Sequence, residues 1–132
     1  MNAPTTTPVD LFADALHFAA DGSLVAGPPR RADAGDEWQL FVAHCETEAD
    51  VHGEYWEMHP EGDEAVCCLR GGIRVVLRAT GADDRTVTLH SGEAVIVPRA
   101  TWHRLELDEP SDISAVGMVR GTRLELRSPE EI

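Results

Sequence analysis

Residues 54–72 read EYWEMHPEGDEAVCCLRGG. Side chains two apart on a strand project the same way, so Glu57 and His59 share a face if this is a strand. The PEGD stretch, Pro60 to Asp63, has turn chemistry and folds the chain back. Glu64 then opens an antiparallel neighbour and stands beside His59. Two carboxylates and an imidazole on one face of a hairpin are costly to bury unless something pairs with them. A divalent cation is the simplest such partner.

Working outward, the same strand-and-turn grammar repeats. Segments rich in β-formers lie at 38–45, 53–59, 64–70, 72–80, 85–90, 93–97, 101–107, 112–119 and 122–127, with PEGD, GG, TGADD, HSG, PRA, DEPS and RG among the turns between them. Turn signals at intervals of roughly 8–12 residues predict a sandwich or barrel. Alternation sets the faces. Ile73, Val75 and Leu77 fall on one side of their strand, with Arg74 and Arg78 on the other. Thr101, His103, Leu105 and Leu107 share a face, against Trp102, Arg104 and Glu106, so His103 points inward among apolar neighbours. Before residue 38 the chain reads differently. Residues 1–37 are expected to be an N-terminal arm and loop, with 9–20 as either a short helix or an extended arm across a sheet and 27–37 as a loop. Residues 38–127 are the β-domain and 128–132 a C-terminal tail.

Composition limits the function. The chain has 132 residues, enough for one domain. Its net charge of −13 argues against binding nucleic acid or an anionic membrane surface. All eleven basic residues are Arg, which excludes lysine chemistry and, as a codon bias, predicts a bacterial source. Three cysteines, Cys45 and the adjacent Cys67 and Cys68, do not make a disulfide framework and read as small buried hydrophobes. The N-terminus lacks a positively charged n-region and no apolar run reaches membrane-span length, so a cytoplasmic protein is expected.

The motif spacing resembles the cupin superfamily. Its first motif, G-x5-H-x-H-x3-4-E-x6-G, has the counterpart Glu57-x-His59-x4-Glu64-x6-Gly71. Its second, G-x5-P-x-G-x2-H-x3-N, has the counterpart Gly92-x5-Pro98-x-Ala100-x2-His103. The likeness covers about residues 38–127 and implies an all-β, double-stranded β-helix or jelly-roll barrel. It also implies a divalent metal (Fe, Mn, Ni or Zn) held by Glu57, His59, Glu64 and His103. Glu57 stands where the motif has its opening His, Ala100 where it has Gly, and Leu107 where it has Asn; the opening Gly is missing near Val51. Two His and two carboxylates bring a divalent site to zero net charge, a poorer Lewis acid than three His and one Glu would make. Should Glu57 stay off the metal, His59, Glu64 and His103 remain as a three-ligand set.

Further residues carry lesser expectations. Tyr55 shares the parity of Glu57 and points toward the cavity or packs at its rim. Cys68 and Arg70 share the parity of Glu64; Cys68 lines the cavity floor or packs inertly, and Arg70 pairs with an anionic substrate or a surface acid. Trp56 and Trp102 point outward, toward a subunit interface. His17, His44, His52 and His90 read as ordinary surface or packing residues. The functional expectation is a metal-binding cupin acting on a small polar molecule in its cavity, as oxygenase, isomerase or lyase. The alternatives are a ligand-binding or sensing cupin without catalysis, and a remnant that has lost its metal. A two-fold homodimer is expected.

Overall fold

The computed structural model describes residues 6–30 and 38–129. All nine expected strand segments form: β3 (Trp38–Cys45), β4 (Tyr55–Met58), β5 (Glu64–Arg70), β6 (Gly72–Leu77), β7 (Arg85–His90), β8 (Glu93–Val97), β9 (His103–Leu107), β10 (Ser111–Met118) and β11 (Arg123–Leu126). Two more precede them, β1 (Ala15–Phe18) and β2 (Leu24–Gly27). A 3₁₀ turn, Glu48–Val51, links β3 to β4.

The helical alternative for residues 9–20 is not what forms. Residues 15–18 are a strand that pairs with β2 and with β3. Asp21-Gly22 is the cause, a strong hairpin signal in the sequence. Gly22 takes φ +92°, and Ala19 N–H donates to Ser23 O across the turn. Ala15 and His17 then alternate inward with strand period. The N-terminal segment is thus continuous with the sheet that follows it. Part of the expected 27–37 loop, residues 31–37, lies outside the described residues.

Two antiparallel sheets make a cupin-like jelly roll. One has the order β2-β1-β3-β10-β5-β8 and the other β11-β4-β9-β6-β7. Apart from the hairpins β1-β2 and β6-β7, neighbours in these orders are not consecutive in sequence, so the sheets are held by long-range pairing. β10, alternating little and buried nearly throughout, is the long central strand that pairs with both β3 and β5. The apolar core lies between the sheets. Val66, Cys68, Val97 and Ile113 come from the first sheet and Ile73, Val75 and Leu89 from the second. The second sheet places β4 and β9 side by side, with Glu57 directly opposite His103.

The outward expectation for Trp56 is corrected in its consequence. It faces away from the cavity side of β4, yet it is only 3% exposed. The guanidinium of Arg78 lies 4.5 Å over its ring and that of Arg104 lies 5.2 Å from it. Cation–π stacking and the arginine stems cover the indole, leaving it no free surface for a partner. Arg78 also approaches Trp102, at 5.3 Å.

Candidate metal centre

The site grows from the hairpin that opens at β4. Glu57 projects from β4, His59 from the residue just beyond it, and Glu64 from the first position of β5. His103 is the first residue of β9. The turn before it is tied to the hairpin, because Ala100 N–H donates to His59 O at 2.8 Å. Ala100 has φ +61°, the left-handed region that glycine adopts without cost. The cupin motif has Gly at this position, and the backbone keeps the conformation although the residue has changed.

The four side chains converge. One ligand atom from each of Glu57, His59, Glu64 and His103 lies within 4.8 Å of all the others. His59 Nε2 stands 3.1 Å from Glu57 Oε1 and 3.1 Å from Glu64 Oε2. His103 Nε2 stands 3.1 Å from Glu64 Oε1 and 3.8 Å from Glu57 Oε1. His59, Glu64 and His103 are buried, while the Glu57 side chain is 39% exposed.

The far side of each imidazole is fixed. His103 Nδ1 lies 3.0 Å from Thr101 O. A carbonyl only accepts, so that nitrogen carries the proton and Nε2 of the neutral ring is bare. His59 Nδ1 lies 2.7 Å from Thr122 Oγ1, whose hydroxyl donates to Val119 O at 2.6 Å. With its proton so committed, Thr122 accepts from His59 Nδ1–H, and again Nε2 of the neutral ring is bare. This is how ligand imidazoles are oriented toward a metal. His59 Nε2 is also buried without a well-formed hydrogen bond. A bare, buried nitrogen between two carboxylates is a fitting donor for a divalent cation and a poor arrangement without one.

The electrostatics agree. Burial alone would lower the pKa of His59, but the adjoining carboxylates of Glu57 and Glu64 outweigh it and push it up to about 10. Burial likewise lowers that of His103, and Glu64 raises it above its ordinary value. Burial would raise Glu64, yet the two imidazoles hold it down at about 2. The carboxylates demand positive charge at this point, and protons on the imidazoles supply it when no metal does.

A cavity of about 300 Å³ opens beside the cluster, with Glu57, Glu64 and His103 in its wall. Tyr55 lines it. Cys68 does not: it is fully buried in the core between the sheets. Arg70 is exposed at the end of β5. Cys68 thus takes the second of its expected roles, inert packing, on the inward parity it shares with Glu64 and Val66, whereas Arg70 leaves that face for a local reason. Cys68 pairs with Ile113 but Arg70 with Asp112, so Leu69 is an extra residue that bulges the strand. A bulge breaks the alternation from which the inward face of Arg70 was read. Conversely His52, read as ordinary, stands at the cavity wall with φ +53°, just after the 3₁₀ turn. Thr122 was not singled out at all. His17 is buried and bonded to Pro28 O, away from this site. His44 and His90 are surface residues paired with acids.

The family model for the cupin domain, Cupin_2, matches residues 44–117, over half of the chain. The chain belongs to the cupin family. No curated protein matches it. Among solved structures, this cupin is similar to a cupin-2 domain protein from Shewanella frigidimarina, at 20% identity and TM-score 0.47, over 75% of this chain and 79% of that one. It is also similar to a Neisseria meningitidis protein, at 18% identity and TM-score 0.46, over 68% and 76%. Bacillus subtilis oxalate decarboxylase, a protein with Mn(II) centres, aligns at 20% identity and TM-score 0.49, over 68% of this cupin but only 23% of the decarboxylase. No helix among the described residues is long and apolar enough to cross a membrane.

Proposed function

We propose that this cupin holds one divalent ion between Glu57, His59, Glu64 and His103 and uses it to bind a small molecule in the adjoining cavity. The observation that carries the reading is His59: its Nδ1 is committed to Thr122, and its buried Nε2 faces two carboxylates without a hydrogen bond. Imidazoles and carboxylates together suit Fe, Mn, Ni or Zn. When bound, such an ion polarises an oxygen of the ligand. The chain's own part is to orient the imidazoles, supply the charge-neutralising carboxylates and shield the ligand from water. The reaction classes open to such a site are those of an oxygenase, isomerase or lyase. The test is metal analysis of protein purified without chelator or His tag. Near-stoichiometric divalent ion, lost in His59→Ala and His103→Ala, supports the reading; a metal-free protein that binds none on titration refutes it.

A non-catalytic, ligand-sensing role is the second reading, and one observation favours it. The cavity's acid outside the cluster, Asp50, is spent on the 3₁₀ turn, where its carboxylate accepts from Glu46 N–H and Thr47 N–H. That leaves Tyr55 and the rim residue His52 as the remaining candidates for proton transfer. Assembly as a two-fold homodimer in the cytoplasm belongs to the same proposal. It draws support from the exposed apolar residues Leu124 and Leu126 on edge strand β11 and Ile96 on edge strand β8. Sedimentation giving the 14.4 kDa monomer mass at micromolar concentration would contradict it.

A further inference from the structure

The cavity beside the cluster is mostly apolar. Phe41, Val66, Leu105, Ile113 and Leu124 form much of its wall. This differs from the polar molecule that the sequence led us to expect. Its charge is equally informative. Among the described residues Arg104 is the one arginine in the lining, and its guanidinium is directed elsewhere, to Glu106 and over the Trp56 ring. Arg70, the expected partner for an anionic substrate, is exposed at the far end of β5. Asp50 adds a carboxylate to the wall. Two glutamates already neutralise a divalent ion. An anionic ligand would therefore bring uncompensated negative charge into a low-dielectric cavity.

We infer that the cavity takes an uncharged amphipathic molecule, with an oxygen-bearing head on the metal and an apolar body the size of a phenyl ring against the wall. The inference rests on the metal reading above. It excludes small dicarboxylates and other anions as preferred ligands, and it makes the apolar body a determinant of affinity in its own right.

Three small molecules separate the contributions. 2-Hydroxyacetophenone is neutral, with a phenyl body. Phenylglyoxylate keeps the phenyl and adds a carboxylate. Hydroxyacetone keeps the neutral head and lacks the phenyl. Each is titrated into Zn²⁺-loaded protein and followed by ligand-observed NMR. The expected order places 2-hydroxyacetophenone about fivefold tighter than phenylglyoxylate, a reversal of the preference that free Zn²⁺ has for the carboxylate. Hydroxyacetone should bind about tenfold more weakly than its phenyl analogue. Leu124→Arg, at a position 58% exposed on an edge strand, places a cation at the mouth without disturbing the core, and it is compared with wild type at concentrations where sedimentation gives both the same mass. It should raise phenylglyoxylate affinity about fivefold. Zn²⁺ bound but phenylglyoxylate preferred by the wild type, no gain from the phenyl, or no response to Leu124→Arg each overturns this inference while leaving the metal site standing. Failure of the protein to bind Zn²⁺ overturns both.

Discussion

His59 Nδ1 donates to Thr122 Oγ1 at 2.7 Å, a contact between residues 63 positions apart in the chain. Thr122 is held in turn by its own bond to Val119 O, so the imidazole is positioned by a hydroxyl with no remaining freedom. Thr122→Val keeps the shape and removes the hydroxyl. The ring then loses both its orientation and its preferred tautomer. Metal affinity should fall about 10- to 100-fold with the fold unchanged. Thr122→Ser should restore most of it. Competition against a chromophoric chelator measures this, and equal affinity in Thr122→Val would show that the contact is only structural.

Glu57 answers a different question, since it occupies the position of a histidine in the cupin motif and is the most exposed of the four. Its carboxylate lies 3.1 Å from His59 Nε2, close enough to share an ion with it. Glu57→Ala should weaken metal binding, whereas His59→Ala or His103→Ala should abolish it. Glu57→His restores three imidazoles and one carboxylate and should keep or tighten the binding of Zn²⁺ or Ni²⁺. Calorimetric titration of the chelator-stripped variants distinguishes them. Binding by Glu57→Ala as tight as wild type would reduce the site to His59, Glu64 and His103.

The metal-free protein should have a distinctive pH profile. The His59 pKa is raised from 6.5 to about 10, so its contribution to stability is complete below pH 6.5 and is lost as the pH rises toward 10. The Glu64 pKa is lowered from 4.5 to about 2, so its contribution is complete above pH 4.5 and is lost as the pH falls toward 2. The cluster therefore stabilises the apo fold most between pH 4.5 and 6.5. Metal needs the imidazoles deprotonated, so its binding releases protons and tightens as pH rises. Thermal melts should show the apo Tm falling above pH 6.5 while the increment from added Zn²⁺ grows. An increment that shrinks with rising pH would contradict the assignment.

Two turn positions should respond in opposite directions. Ala100 sits at φ +61°, so Ala100→Gly should stabilise the protein by about 1 kcal/mol. Gly71 has φ +101°, and a Cβ there would stand 2.3 Å from Ser111 Oγ and 2.7 Å from Pro110 O. Backbone cannot yield as a side-chain tip can, so Gly71→Ala should cost more than about 2 kcal/mol. Urea denaturation of both variants reads the difference.

The nine strands after residue 37, the inward faces of Glu57, His59 and His103, and the turns between them were legible because strand alternation and turn chemistry are local. Two of the motif's features, the Glu57-x-His59 spacing and the Pro98-x-Ala100-x2-His103 turn, are also local, and they were enough to indicate the family. The Asp21-Gly22 hairpin is written in the same local code.

What the sequence determined by itself was direction: which side chains leave each strand together. Depth and partnership were decided only by the tertiary structure. Cys68 and Arg70 share a parity with Glu64, yet one ends in the core and the other in solvent, because pairing with β10 introduces a bulge at Leu69. Trp56 points outward as its parity requires, yet it is covered, because Arg78 arrives from just past the end of β6 and Arg104 from β9. Thr122 reaches His59 only because β11 pairs with β4. Side-chain alternation is fixed within a few residues by backbone geometry. Which strands lie side by side is set by burial summed over the whole chain, and no short stretch of sequence contains that sum.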